Sequence, residues 1–344
     1  MGCPIAHHLS PSPITRMDLL TFKIILVLAI FGITMLIAMY STLLERKLSA
    51  VMQDRIGPNR AGPGGILQPL ADGIKMFTKE ELIPSGSNRW LFILGPGIAM
   101  FTALVTGAVI PWGGDLTVGG SILPLQIADI NIGILYLLGV LSVGVYGIMI
   151  GGWASNNKYS LLGALRASSQ MISYEIAMGL AIISIVMMTG TLSLREIVQM
   201  QDAGVANVLL QPVAFLIFLI CAFAETNRAP FDLPECETEL VGGYHTEYSS
   251  MKLGLFLFAE YINMFISSAV MVSLFWGGYN FPFQHELGLS PNALAIAQTA
   301  VFFLKIFAFI FFFMWVRWTL PRFRYDQLMN LGWKVLLPLA LVNI

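Results

Sequence analysis

Six carboxylates crowd the 23-residue stretch from Glu225 to Glu247, where Arg228 is the sole Lys or Arg. They are Glu225, Asp232, Glu235, Glu237, Glu239 and Glu247. Like charges held this close repel one another unless they are protonated, paired with distant cations or wetted. In a chain that is 56% apolar and 11% charged, those are the conditions of a proton or ion route. Glu175, Glu260 and Lys305 fall inside long apolar runs, where an ionisable group costs roughly 2.5–3.5 kcal/mol on insertion. Together with Glu225 they point to an interior polar file. The plainer alternative is that each satisfies one neighbouring helix and fixes packing.

Redox and metal chemistry find little support along the same chain. The cysteines, Cys3, Cys221 and Cys236, form no CxxC and are too few for a four-cysteine cluster. The histidines His7, His8, His245 and His285 are scattered, and neither a G-x-G-x-x-G nor a P-loop occurs. The expectation is a chain that binds no FMN, iron–sulfur cluster or metal, has no catalytic residue of its own, and draws on another chain for electrons. A net charge of −1 and the lack of any basic tract speak against nucleic acid. Cys221 and Cys236 read as packing residues rather than reactive thiols.

The elements that must position these groups are membrane helices. A mean hydropathy of +0.75 over 344 residues reads as an all-α integral membrane protein. Apolar windows of about 20 residues fall at 18–44, 90–112, 130–153, 168–190, 206–225, 250–276, 293–318 and 327–344. This predicts about eight transmembrane helices, the last with the weakest boundary. Residues 1–17 read as a polar leader before a retained first helix, and 18–344 as one polytopic domain. Alternate connections hold nearly all the loop Lys and Arg, while Arg195 is the single exception on the other side. The positive-inside rule then makes loops 45–89, 154–167, 226–249 and 319–326 cytoplasmic and both termini non-cytoplasmic.

The first of those loops opens with a Gly- and Pro-rich run, Asp54 to Gly65, unsuited to helix or central strand. In the next run, Ile66, Leu67, Leu70, Ile74 and Phe77 recur at three- and four-residue steps. Gln68, Asp72, Lys75 and Lys79 recur on another face, predicting an amphipathic helix lying at the interface. Glycines 133, 139, 144, 147, 151 and 152 suit close helix approach. The Phe-dense run 302–313 is expected to face lipid, and Trp153, Trp276, Trp315 and Trp318 to anchor at the interface.

Four stretches are similar to one known family: ERKLSAVMQDRIGPNRAGPGGILQPLADGIK, WASNNKYSLLGALR, AETNRAPFDLPECETEL and PRFRYDQLM. They resemble, in family order, the H subunit of bacterial NADH–quinone oxidoreductase and its mitochondrial relative, the quinone-site membrane subunit of respiratory complex I. The likeness runs from about residue 18 to the C-terminus. It implies an eight-helix subunit in the bacterial plasma membrane, docked to other membrane subunits and to a peripheral arm. It also implies that the first, fifth and sixth helices and the interfacial helix frame a tunnel for ubiquinone or menaquinone. Electrons would arrive from the terminal iron–sulfur cluster of a docked soluble subunit.

Quinone reduction takes up two electrons and two protons, so its chamber needs ionisable groups at the headgroup end and an apolar slot for the tail. Glu45, Arg46, Arg55, Asp72 and Lys75 are the candidates near the tunnel, with the arginines holding carboxylates ionised or stabilising developing anionic charge. The proton and coupling path is assigned to Glu175, Glu225, Asp232, Glu235, Glu237, Glu239, Glu247 and Glu260, whose titrations would be coupled. Arg228 is expected to pair with Asp232 or Glu235, Tyr174 to donate a hydrogen bond to Glu175, and Lys305 to join the interior file. The rival readings are the membrane subunit of an energy-converting hydrogenase, a free-standing proton or cation transporter, and a passive scaffold.

Overall fold

Residues 13–118, 121–202, 204–233 and 240–344 are described by a computed structural model. Most of the expected leader and the carboxylates Glu235, Glu237 and Glu239 lie outside the described residues. In chain order the helices begin with α1 (Pro13–Met52), α2 (Gln68–Thr78) and α3 (Arg89–Thr106). A short antiparallel hairpin follows, β1 (Asp115–Val118) and β2 (Ser121–Pro124). Then come α4 (Gly133–Ala154), α5 (Lys158–Thr189), α6 (Leu194–Met200), α7 (Asn207–Leu210) and α8 (Pro212–Glu225). The chain closes with α9 (Ser250–Phe275), α10 (Pro291–Thr319), α11 (Tyr325–Asn330), a π-helical turn Leu331–Leu336 and α12 (Leu337–Asn343).

This is an all-α membrane architecture. Among the described residues, α1, α3, α4, α5, α9 and α10 are the six helices long and apolar enough to cross a bilayer. The remaining two expected spans are broken. Pro212 disfavours helical geometry at the residue before it, and Gln211 sits at φ −130°, ψ 61°. The run 206–225 therefore splits into α7 and a 14-residue α8, about 21 Å long against a hydrocarbon core of about 30 Å. The C-terminal run is interrupted by its widened turn just ahead of Pro338, whose missing N–H breaks the regular ladder. In the other direction, α5 starts at Lys158 rather than 168, because the Asn157 side chain caps the Tyr159 N–H at 2.9 Å. Most of the stretch 154–167, expected as loop, is thus helix.

Helix α9 is the hub, with 61% of its apolar window buried, against 17% for α1. It packs on α1, α3 and α10, while α3 lies along α4 and α4 along α5. Glycine makes the α3–α4 contact possible: a Cβ on Gly95 would stand 2.8 Å from the Gly151 Cα, and one on Gly147 2.8 Å from the Ala99 nitrogen. Gly139 faces open space and has no such role. The Phe-rich stretch of α10 is two-faced, contrary to the expectation that it would all face lipid. Phe302, Ile306, Ile310 and Phe313 are buried against α9 and its neighbours, whereas Phe307 and Phe311 are exposed, as a 3.6-residue period requires.

Candidate functional site

Glu45 lies near the end of α1 and is almost completely buried. Its Oε2 accepts a hydrogen bond from Arg228 Nη1 at 2.6 Å and one from the Tyr261 hydroxyl at 3.0 Å. Its Oε1 pairs with Arg317 Nη1 at 2.7 Å. One carboxylate thus ties α1 to α9, to α10 and to the turn after α8. The Arg228 guanidinium also lies over the Tyr261 ring, 4.3 Å from its centroid, a cation–π contact that a fully buried arginine exploits. Burial works against the Arg228 charge, yet Glu45, Tyr261 and Glu260 outweigh it and push the guanidinium above its ordinary value.

The local chain explains how Arg228 reaches that position. Helix α8 ends as the Thr226 hydroxyl donates back to the Ala222 carbonyl at 2.9 Å. Asn227 then takes a left-handed φ of 50°, which asparagine tolerates better than most residues. Gln170 of α5 braces the turn, its Nε2 donating to the carbonyls of Ala224 at 2.9 Å and Phe231 at 2.8 Å.

On one side of this cluster a cavity of about 160 Å³ opens between α1, α2 and α9. Met39, Met76, Leu257 and Phe258 give it apolar walls, and Arg46, Asp72 and Tyr261 give it polar edges. Arg46 Nη1 donates to Asp72 Oδ2 at 2.6 Å, and Gln68 Nε2 to Asp72 Oδ1 at 3.2 Å. Helix α2 has the amphipathic form expected of it: Leu70, Ile74 and Phe77 are exposed on its outer side, while Pro69, Asp72, Gly73 and Met76 turn to the cavity. Helix α8 contributes no residue to this lining.

A second, smaller cavity of about 30 Å³ lies among α3, α4, α5, α9 and the turn after α8, room for about one water. Glu225 and Glu260 both face it, with Thr102 of α3, Asn227 and Asn263. Glu225 is buried, and its Oε2 has no hydrogen-bond partner among the described residues. Glu175 of α5 is close enough to act electrostatically on Glu225, and the Ser142 hydroxyl of α4 donates to it. Arg228 lines neither cavity, but it links the two sets of residues, paired with Glu45 and acting electrostatically on Glu260.

The NADH dehydrogenase family model matches residues 23–344. This chain belongs to the NADH dehydrogenase family. It is 67% identical over 327 residues to an NADH-quinone oxidoreductase H subunit of Cytophaga hutchinsonii, covering 95% of this chain and 96% of that protein. The corresponding H subunit of Flavobacterium johnsoniae is 62% identical, covering 94% of this chain and 93% of that protein. One from Geobacter metallireducens is 51% identical, covering 92% of each. The chain is therefore a multi-pass membrane subunit of NADH–quinone oxidoreductase, that is, of complex I.

Within this complex I subunit, the described geometry brings Arg46 and Asp72 to the first cavity, with Glu45 behind its Tyr261 wall, and Glu225 and Glu260 to the second, with Glu175 acting on Glu225 from outside the lining. Several other expectations are corrected. Arg228 was expected to pair with Asp232 or Glu235; it pairs with Glu45, 183 positions away, and Glu235 lies outside the described residues. Asp232 accepts from Arg322 at 2.7 Å instead, because the turn after α8 points Arg228 into the bundle and leaves Asp232 toward the segment after α10. Tyr174 donates to the Leu328 carbonyl at 2.9 Å and not to Glu175, since adjacent helical residues point about 100° apart. Arg55 is exposed and bonds Gln53 and Ser49 away from the cavity. Lys75 reaches Asp72 only at 3.9 Å from an exposed position.

Glu247, assigned to the coupling path, and Lys305, expected in the interior file, line neither of the two cavities. Glu247 accepts from Asn157 Nδ2 at 2.6 Å on a surface cleft lined by Pro84 and Lys158. Lys305 donates to the carbonyls of Trp276, Gly278 and Asn280 at 2.8, 2.9 and 2.6 Å. It caps the C-terminal end of α9, where a cation is favoured, and leaves the interior file. Tyr261, Arg317, Gln170 and Ser142 were not legible as site residues. Each is a common polar residue in an apolar or loop context whose role depends on a partner far along the chain.

Proposed function

We propose that the cavity between α1, α2 and α9 is the membrane-side part of a quinone chamber, closed by the peripheral arm of the complex. The carrying observation is the continuity from that cavity through Tyr261 and Glu45 to Arg228, and from Arg228 to the carboxylates of the inner cavity. Apolar walls suit an isoprenoid tail, and the Arg46–Asp72 pair supplies charge where a headgroup would enter. The Tyr261 hydrogen is committed to Glu45, so its oxygen offers lone pairs to the cavity and not a proton. Asp72 is held as an acceptor by Arg46 and Gln68. The protons consumed in forming quinol therefore come from the docked subunit or from water, and this chain's residues orient the substrate and set the local charge.

When anionic charge develops in the chamber, Arg46 and, through Tyr261 and Glu45, Arg228 respond to it. A shift of Arg228 from Glu45 toward Glu260 changes the field at the inner cavity, where Glu260, Glu225 and Glu175 pass it on as proton movement. Asp232, Glu235, Glu237, Glu239 and Glu247 belong in this reading to the loop that feeds water and protons to the inner carboxylates. The substrate is ubiquinone or menaquinone, the partners are the other membrane subunits and the iron–sulfur-bearing peripheral subunit, and the site of action is a bacterial plasma membrane. The quinone-oxidoreductase names of the relatives support this over a hydrogenase-linked subunit or a free-standing transporter.

Leu257→Trp, which fills the first cavity, tests the reading. Inhibitor-sensitive NADH–quinone activity of the assembled complex should fall about tenfold or more, read as lost transition-state access. NADH oxidation by a water-soluble acceptor, which bypasses the membrane subunits, should be unchanged. Full quinone activity in an assembled L257W complex would sink the proposal.

A further inference from the structure

A groove of about 530 Å³ runs along the outer flank of α1 beside α10, on the side away from the α2 cavity. Leu36, Tyr40, Leu44 and Phe307 line it, with Ser41 at its floor and Lys47 at its rim. From Leu36 to Lys47 it spans about 16 Å at 1.5 Å per residue, close to one leaflet of a hydrocarbon core about 30 Å thick. The groove thus begins near mid-membrane and ends at the basic end of α1.

Charge separates Lys47 from the basic residues around it. Arg46 is held by Asp72, and Arg228 and Arg317 are held by Glu45. Lys47 makes no ion pair among the described residues, although its stem lies against the chain at Gly57. An apolar slot one leaflet deep with a single uncommitted ammonium at its interfacial end fits one amphiphile: a fatty acyl chain carrying a negatively charged headgroup. We propose that this groove holds an anionic phospholipid, with its acyl chain along Leu36–Leu44 and Phe307 and its phosphate at Lys47.

The test uses the intact complex reconstituted in phosphatidylcholine vesicles with a trace of tail-photoreactive phospholipid, bearing either a glycerol or a choline headgroup. After illumination, labelled peptides are mapped by mass spectrometry. The phosphatidylglycerol probe should label the peptide spanning Leu36–Lys47 about fivefold more than the phosphatidylcholine probe, the factor expected for one lysine beside an anionic headgroup. K47Q should abolish that preference, K47R should keep it, and R60Q, an exposed arginine outside the groove, should leave it unchanged. L44W, which fills the slot, should remove labelling by both probes. Equal labelling by the two probes in the unmodified complex would overturn the headgroup assignment. Absence of label from Leu36–Lys47 with either probe would overturn the site altogether and mark the face as covered by another subunit.

Discussion

Glu45 and Glu225 are the same residue type, each at the end of an apolar helix and 5% and 3% exposed, yet their surroundings are opposite. Glu45 is met by two arginines and a tyrosine hydroxyl. Glu225 has no cation against it among the described residues, one oxygen without a partner, and Glu175 and Glu260 nearby. A carboxylate saturated with charged donors is a structural pin that holds four elements at fixed distance. One that shares a small cavity with a second carboxylate, and keeps one oxygen without a partner, is in the proposed reading the one placed to exchange a proton. Position and burial alone do not distinguish the two roles; the donors around each oxygen do.

Removing the pin should have the largest effect. Glu45→Gln leaves Arg228 buried without its counter-charge, a loss of about 3–5 kcal/mol. The expected outcome is little assembled complex in the membrane, measured by native gel and by thermal unfolding of what remains. Arg228→Lys should keep only part of the stability, since an ammonium keeps the charge but loses the planar contact with Tyr261. Unchanged stability in R228K would show that charge alone matters at the pin.

Glu225→Gln should behave in the opposite way. Assembly and melting should stay near those of the unmodified complex, while proton translocation falls to about a tenth or less, in keeping with removal of a proton-transfer group. Unchanged pumping in an assembled E225Q complex would place Glu225 with the structural residues and erase the contrast. Glu175→Gln should follow Glu225 and not Glu45; wild-type quinone activity and pumping in that variant would remove Glu175 from the path.

Packing beneath both sites gives an intermediate effect. Gly95→Ala forces α3 and α4 apart and should cost about 1–3 kcal/mol, seen as a lower melting temperature with pumping per assembled complex retained. A smaller effect is expected where the exposed Glu81 meets the largely buried Lys252. The hydrogen bond and charge of Lys252 hold the exposed Glu81 carboxyl below its ordinary value. The tie is therefore complete above the ordinary glutamate range and is lost as pH falls through the lowered value. Glu81→Gln, which leaves the buried Lys252 without this counter-charge, should lower melting at neutral pH by less than Glu45→Gln does and flatten any acid-side dependence contributed by this pair.

Hydropathy, loop charge and the three- and four-residue periodicity of Ile66–Phe77 were enough to read a polytopic helical protein with an amphipathic interfacial helix. They also singled out the carboxylates, because an ionisable group in an apolar run is conspicuous whatever its partner. The motifs themselves carried the family. These are local properties, set by the transfer free energy of each side chain and the period of its helix.

Tertiary structure alone decided which charges meet. Arg228 had an acidic neighbour within four residues, and the turn at Asn227 sent it to Glu45 instead. Lys305 was conspicuous as a buried charge and proved to cap carbonyls, while Tyr261 and Arg317, inconspicuous in sequence, complete the pin. The physical reason is that a buried charge is stabilised by whatever donor or acceptor the packed helices bring within about 3 Å. That distance is fixed by the crossing of α1, α8, α9 and α10 and not by separation along the chain.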